Sequence, residues 1–229
     1  MGINYSPKIV TDGLVLCLDA ANSRSYPGTG TTWTDISAGF SDSLVSRSTA
    51  DNGTLTNGPT FDTTNKGSIV FDGTNDRVAI SLGSLPTPQS SSNLTYEAVV
   101  KFDSLGWRTV FSQDAGSGTG RIFLGVHGTN SKLVTFVTGS ALQPDFSAVT
   151  TGAIYHVAFG CKQLPNMLAP DVRIGFNGVW DTVSTGSVTG YSGTGGINIG
   201  CEPSAGGGFL DGNVLAVRIY NRPLGEKEL

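Results

Sequence analysis

Two carboxylates and an amide, Asp72, Asp76 and Asn75, crowd the turn inside "GSIVFDGTNDRVAI" at residues 67–80. With loop carbonyls they could supply several of the roughly six to eight oxygens that Ca²⁺ takes. The same residues also suit a plain chain reversal. Short side-chain oxygens bond neighbouring N–H groups, and Gly73 takes up the unusual dihedral of a hairpin connection. The expectation is a structural turn between two strands, with Asp72 and Asp76 as the calcium candidates and no other cofactor.

Hydrolytic chemistry would need a second kind of constellation. Retaining glycoside hydrolysis uses two carboxyls about 5–5.5 Å apart. Glu97 and Asp103 lie on one strand-like run but some 20 Å apart if that run is extended, at roughly 3.3 Å per residue. A cross-strand pair such as Glu97 with Asp114 has no support in the spacing. His127 and His156 sit in strand-like runs, and no GxSxG elbow is present to complete a nucleophilic triad. The Gly-rich pieces "DAGSGTGR" (114–121) and "GYSGTGGINIG" (190–200) each lead into a strand and lack GK[ST] before a helix, so neither reads as a phosphate loop. No catalytic residue is assigned, and the chain is expected not to be an enzyme.

Sugar recognition asks less: an exposed aromatic face to stack on a pyranose, with polar groups to orient it. Trp33, Trp107, Trp180, Tyr191 and Phe209 each neighbour Gly or polar residues. Trp107, Trp180, Tyr191 and Trp33 are the ligand-binding candidates.

These residues need a scaffold, and the composition describes it. Only 14% of the 229 residues are charged and 32 are Gly, which suits short strands joined by many turns. Strand-like runs recur at 13–20, 68–71, 77–82, 94–103, 108–114, 121–128, 132–139, 155–163, 172–180, 196–201 and 213–221. In "LTYEAVVKF", Leu94, Tyr96, Ala98, Val100 and Phe102 share one face while Thr95, Glu97, Val99 and Lys101 share the other, as a half-buried strand requires. The fold class is all-β, two antiparallel sheets packed face to face.

The polar stretch 84–93 is a loop rather than a boundary, so an arm at 1–11 precedes one domain over 12–229. Residues 22–62 read as a long surface excursion pinned by Tyr26, Trp33, Ile36, Leu55 and Phe61. The segment "NRPLGEKEL" allows one helical turn, with Leu224 and Leu229 closing the edge of the core. Cys17, Cys161 and Cys201 are odd in number and far apart, hence buried free thiols.

A net charge of −4 with no basic run argues against a nucleic acid partner. No run reaches the ~18 apolar residues of a membrane helix, and "MGINYSPKIV" lacks the apolar core of a secretory signal. Synthesis without export is the expectation.

Three stretches, "DGLVLCLDAANSRSYPGTGTTWTD", "NGTLTNGPTFDTTNKGSIVFDGTNDRVAI" and "LDGNVLAVRIYNRPLGEKEL", resemble in order the concanavalin A-like lectin/glucanase superfamily in its laminin G-like form. The texture is similar to versions in tailed-phage and cyanophage virion proteins. The resemblance implies a jelly-roll β-sandwich and a non-enzymatic virion structural role on the virion surface, as capsid decoration or tail-associated adhesion module, made in the host cytoplasm. Its partners would be other virion proteins of capsid or tail, with self-association into an oligomer. The alternative it implies is a lectin module binding a cell-surface glycan for host attachment, and the lesser one a glycoside hydrolase. Two family features are missing. Leu215 and Ala216 stand where relatives carry acidic residues, and Glu-x-Asp-x-x-Glu, the glucanase signature, does not occur among Glu97, Glu202, Glu226 and Glu228.

Overall fold

The computed structural model describes residues 9–39, 51–81, 93–113, 122–137, 140–144, 146–161, 172–182, 196–202 and 206–229. Among these residues sixteen strands follow in order: β1 Leu14–Asp19, β2 Thr32–Trp33, β3 Gly53–Thr56, β4 Thr60–Asp62, β5 Ser68–Asp72, β6 Arg77–Ile80, β7 Leu94–Phe102 and β8 Arg108–Gln113. The series continues with β9 Ile122–Val126, β10 Leu133–Val137, β11 Ser140–Leu142, β12 Ile154–Cys161, β13 Val172–Phe176, β14 Val179–Thr182, β15 Ile197–Ile199 and β16 Asp211–Tyr220. They form two antiparallel sheets. The first runs β14-β13-β12-β7-β16-β5-β4, with β1 also on β16; the second runs β11-β10-β9-β8-β15-β6-β3-β2.

The alternation in β7 is the spine of the first sheet. Leu94, Tyr96, Ala98, Val100 and Phe102 enter the core between the sheets with Phe111, Ile122 and Leu124 from the second. The tyrosine hydroxyl of Tyr96 donates to Gln113 across that core at 3.0 Å, which satisfies a polar pair where water is excluded. Core residues come from strands of both sheets, β1 and β16 among them. Cys17, Cys161 and Cys201 are buried and free, and burial pushes the Cys17 and Cys201 thiols up to about 11.

Four expectations need correction. The 67–80 turn does not close a hairpin: β5 pairs with β4 and β16, whereas β6 pairs with β3 and β15, so residues 73–76 carry the chain from one sheet to the other. The run 172–180 is two strands, split at Asn177 (φ 49°) and Gly178 (φ 85°), an Asn-Gly pair of the kind that reverses a strand. The 22–62 excursion contains β2, β3 and β4, short strands that exist because their neighbours complete their ladders. Its anchors Tyr26, Trp33 and Leu55 are nonetheless buried. The segment 221–229 forms no helical turn. It lies across the outer face of the first sheet, where Leu224 packs with Leu14, Cys17, Ala158, Trp180 and Tyr220, and Leu229 joins them.

Thr95 fastens that segment, donating to the Arg222 carbonyl and accepting from the Leu224 N–H, both at 3.0 Å. Arg222 in turn pairs with Asp12 and Glu228, and Arg173 pairs with Glu226. The Arg222 hydrogen bond holds the Glu228 carboxyl down at about 2.

Close approach makes one glycine indispensable. Gly212, at φ +153°, leads β16 between its two neighbours, and a Cβ there would run into the Lys101 carbonyl oxygen of β7. Gly212→Ala is expected to lower stability by about 1–3 kcal/mol through overpacking. Urea unfolding checks this, and an unchanged midpoint contradicts the β7–β16 register.

Candidate functional site

The second sheet turns aromatic rings outward at one end. Ile122, Leu124 and Leu133 take the core, so alternation sends Phe123 and Phe136 to the opposite face. The two are register partners across β9 and β10, with rings stacked at 4.8 Å and 16°. Trp107, just before β8, lays its indole beside them, 5.8 Å from Phe136 and 6.4 Å from Phe123, and 4.6 Å from the His127 ring.

The packing leaves Trp107 41% exposed, among the few large apolar side chains of the described residues that face solvent. Its ring is backed rather than free. A Cβ on Gly128 would collide with the indole, so the turn after β9 admits the ring only because that position has no side chain. His127 is oriented by the same turn, its Nδ1 accepting the Thr129 N–H at 3.2 Å. A flat, exposed ring with fixed orientation and hydrogen-bonding neighbours can stack on a sugar at little entropic cost.

The acidic turn is arranged differently. Asp72 Oδ1 accepts the Thr74 N–H at 2.8 Å and the Asn75 N–H at 3.4 Å, and Asp76 Oδ2 accepts the Asp72 N–H at 3.1 Å. Those N–H bonds lower the Asp72 pKa, whereas burial raises that of Asp76. These carboxylates therefore bind the backbone of the inter-sheet corner. Among the described residues no three His, Cys, Asp or Glu side chains converge in a metal-ligating group.

On the outer face of the first sheet Glu97 stands opposite Arg218 in the β7–β16 register. Arg218 Nη1 donates to Glu97 Oε1 at 2.6 Å, the Tyr220 hydroxyl donates to the same oxygen at 3.4 Å, and His156 Nε2 lies 3.4 Å from Oε2. Burial pushes the Glu97 pKa up, but the His156 hydrogen bond and the Arg218 charge outweigh it, so the carboxyl titrates below its usual range. A general acid would need the opposite shift.

Of the aromatic candidates, Trp107 alone has a face open to a ligand among the described residues. Trp33 is fully buried and Trp180 is 8% exposed. Trp33 packs in the core, and Trp180 lies over Gly160 and donates its Nε1–H to the Gly225 carbonyl. Both are withdrawn as stacking surfaces, since no pyranose can reach their rings. Phe209 is half-buried, and Tyr191 lies outside the described residues. Phe123 and Phe136 are not among the sequence candidates, and His127, weighed there only as a triad member, stands instead beside the Trp107 ring. The signal was present in "RIFLGVHG" and "KLVTFVTG", where Phe falls on the face that alternation turns away from the core.

Comparison with curated proteins gives no match. A family model of the concanavalin A-like lectin/glucanases superfamily matches residues 72–229. Among solved structures, a Trypanosoma rangeli sialidase in complex with sialic acid is 18% identical with a TM-score of 0.62, covering 94% of this chain and 32% of that one. The chain thus spans about a third of the length of that sialidase. Domain 4 of AbnA, a GH43 extracellular arabinanase from Geobacillus stearothermophilus solved with arabinotriose, is 16% identical, with a TM-score of 0.62 and coverage of 94% and 95%. A receptor binding domain is 13% identical at a TM-score of 0.63, covering 96% of this chain and 50% of that one. At such identities the likeness is one of fold. The family match over more than half the residues is decisive: the chain belongs to the concanavalin A-like lectin/glucanases superfamily.

Proposed function

We propose that the chain is a non-catalytic carbohydrate-binding module whose ligand stacks on Trp107. The observation that carries this reading is the exposed indole held against Phe123, Phe136 and His127. A solvent-facing ring fixed on three sides is costly to leave uncovered and well suited to the apolar face of a sugar. The fold is consistent with such a module, and the arabinanase domain of similar length was solved with a bound oligosaccharide. The non-catalytic part is supported by Glu97, a buried carboxylate engaged by Arg218, Tyr220 and His156 and unsuited to general-acid work.

The reading requires no cofactor, nucleic acid or membrane. A setting on a phage particle, attached to capsid or tail as an oligomer, rests on the sequence resemblance, and recovery of the chain from purified virions would test it. The aromatic platform would serve host adhesion equally well there.

Glycan-array screening followed by calorimetry tests the binding itself. Trp107→Ala is expected to weaken the best ligand at least about tenfold, roughly 1.4 kcal/mol. Its melting temperature should stay within about 4 °C of the parent, since the change removes little more than ~1 kcal/mol of packing. Trp107→Phe should retain part of the affinity. An array blank both with calcium and with chelator overturns the proposal. Dependence on calcium alone would direct attention to Asp72 and Asp76.

A further inference from the structure

We infer that the glycan received here carries a carboxylate, and that Arg108 is its counter-charge. The inference rests on the sugar-binding reading of Trp107. Arg108 follows Trp107 directly, and its guanidinium is part-buried. Nη1 donates to the Phe209 carbonyl at 2.9 Å and Nη2 to the Ser104 hydroxyl at 2.6 Å, both neutral acceptors. Its Nε is buried without a hydrogen-bond partner, and among the described residues no carboxylate pairs with it.

The other buried arginine nitrogen without a partner makes the contrast. Arg218 Nε is equally orphaned, but that guanidinium has Glu97 at 2.6 Å. Arg222 has Asp12 and Glu228, and Arg173 has Glu226. A partly desolvated cation with no counter-ion keeps most of its attraction for an anion, and the guanidinium fork matches a carboxylate in shape. Hydrogen bonds to Phe209 and Ser104 hold that fork in place while using only one donor on each terminal nitrogen.

The local charge pattern agrees. Residues 104–113 and 122–137, which build the platform, contain no Asp or Glu, whereas they carry Arg108, His127 and Lys132 in a chain of net charge −4. An anion approaching Trp107 meets no like charge from these strands. Asp103, just before them, is paired with Lys101 at 2.9 Å. Glu202 lies against Gly208, next to Phe209, a setting that suits single carboxylates spaced along an oligosaccharide better than a dense polyanion. Arg108 stands opposite Val126, a core residue, whereas Trp107, in the bend before β8, packs on Phe123 and Phe136 of the outward face, so the two flank the strand end. An oligomer crossing it, rather than one sugar unit, reaches both.

Matched glycan pairs that differ only at the carboxyl test this with the intact chain: oligogalacturonate against its methyl ester, and sialyllactose against lactose. In at least one pair the acid form should bind about tenfold tighter or more at low salt, with the advantage shrinking as salt rises. Arg108→Gln should bring the acid-to-neutral affinity ratio to about one, and Arg108→Lys should keep an intermediate ratio. Equal binding of acid and neutral forms by the parent chain overturns the carboxylate inference while leaving the sugar reading intact. Preference for a sulfated over a carboxylated glycan also overturns it. If no member of any pair and no array glycan binds, the sugar reading fails and this inference falls with it. The parent-chain comparison stands even where an Arg108 variant folds poorly.

Discussion

Glu97→Gln is expected to lower the unfolding free energy by about 3–5 kcal/mol, the range for breaking one partner out of a buried ion pair. Glu97 is 4% exposed, and the substitution leaves the Arg218 guanidinium in the same place without its charge partner. Tyr220 and His156 keep a neutral acceptor, so the loss reads the uncompensated cation rather than the lost hydrogen bonds. Adding Arg218→Met should recover a good part of the stability, because a desolvated charge no longer has to be accommodated. Denaturant unfolding of both single variants and the double variant measures the coupling. Additive losses would mean that the pair is solvent-screened and structurally minor.

The same network fixes an acid limit. The folded Glu97 pKa lies below the ordinary value, so the unfolded chain takes up a proton first as pH falls. The stabilisation is complete above about pH 5 and is lost as pH drops through the range below the usual glutamate value near ~4.3. Glu228, held at about 2 by Arg222, acts in the same direction but is exposed enough that solvent screening leaves it a small share. Glu97→Gln should therefore flatten the stability profile between about pH 3 and 5 relative to the parent.

Much of the sandwich is legible in the residues because its long strands obey a period of two. Residues 94–102 show both the strand and the face that enters the core, although Thr95 and Glu97 on the other face are buried as well. Other features depended on partners distant in sequence. Residues 73–76 have the chemistry of a tight reversal whether the flanking strands pair with each other or join different sheets, since Asp72 bonds its own N–H neighbours in either case. β2, with two residues, and β4, with three, have no periodicity to read; ladders from β3 and β5 define them. The 172–180 run reads as one strand by its apolar alternation, although its Asn177-Gly178 step carries the hairpin signal.

The site was half legible for a similar reason. Trp107, Trp33 and Trp180 sit in comparable local contexts, each next to or one residue from Gly, Thr or a charged residue, and only packing separates them. Gly175 stands opposite Trp180 in the β13–β14 ladder, with Gly160 one strand further leaving room for its ring, and Gly53 stands opposite Trp33 in the β2–β3 ladder. Trp107 instead meets rings that stand on the outward face. A glycine across the ladder, more than the aromatic itself, marks a tryptophan destined for burial. In sequence Arg108 is an ordinary arginine at a strand start; the structure distinguishes it by a buried Nε without a partner on a guanidinium held by neutral acceptors alone.

Trp33→Ala is expected to cost about 3–5 kcal/mol, the range for removing a large aromatic from a close-packed core. Trp33 is fully buried, and a Cβ on Gly53 would touch it as well as Leu18 and Val78, so the walls have no side chain free to collapse into the space. Its Nε1–H is buried with no hydrogen-bond partner among the described residues. Trp33→Phe removes that orphaned donor, worth about 1–3 kcal/mol when left unsatisfied, and should cost distinctly less than the alanine variant despite its smaller ring. Urea unfolding ranks the three forms. The contrast with Trp107 is the informative part: under conditions where both alanine variants remain folded, Trp33→Ala should bind glycan as the parent does while Trp107→Ala does not. Should Trp33→Ala lose binding at unchanged stability, the placement of the ligand on the outward face of the second sheet would be wrong.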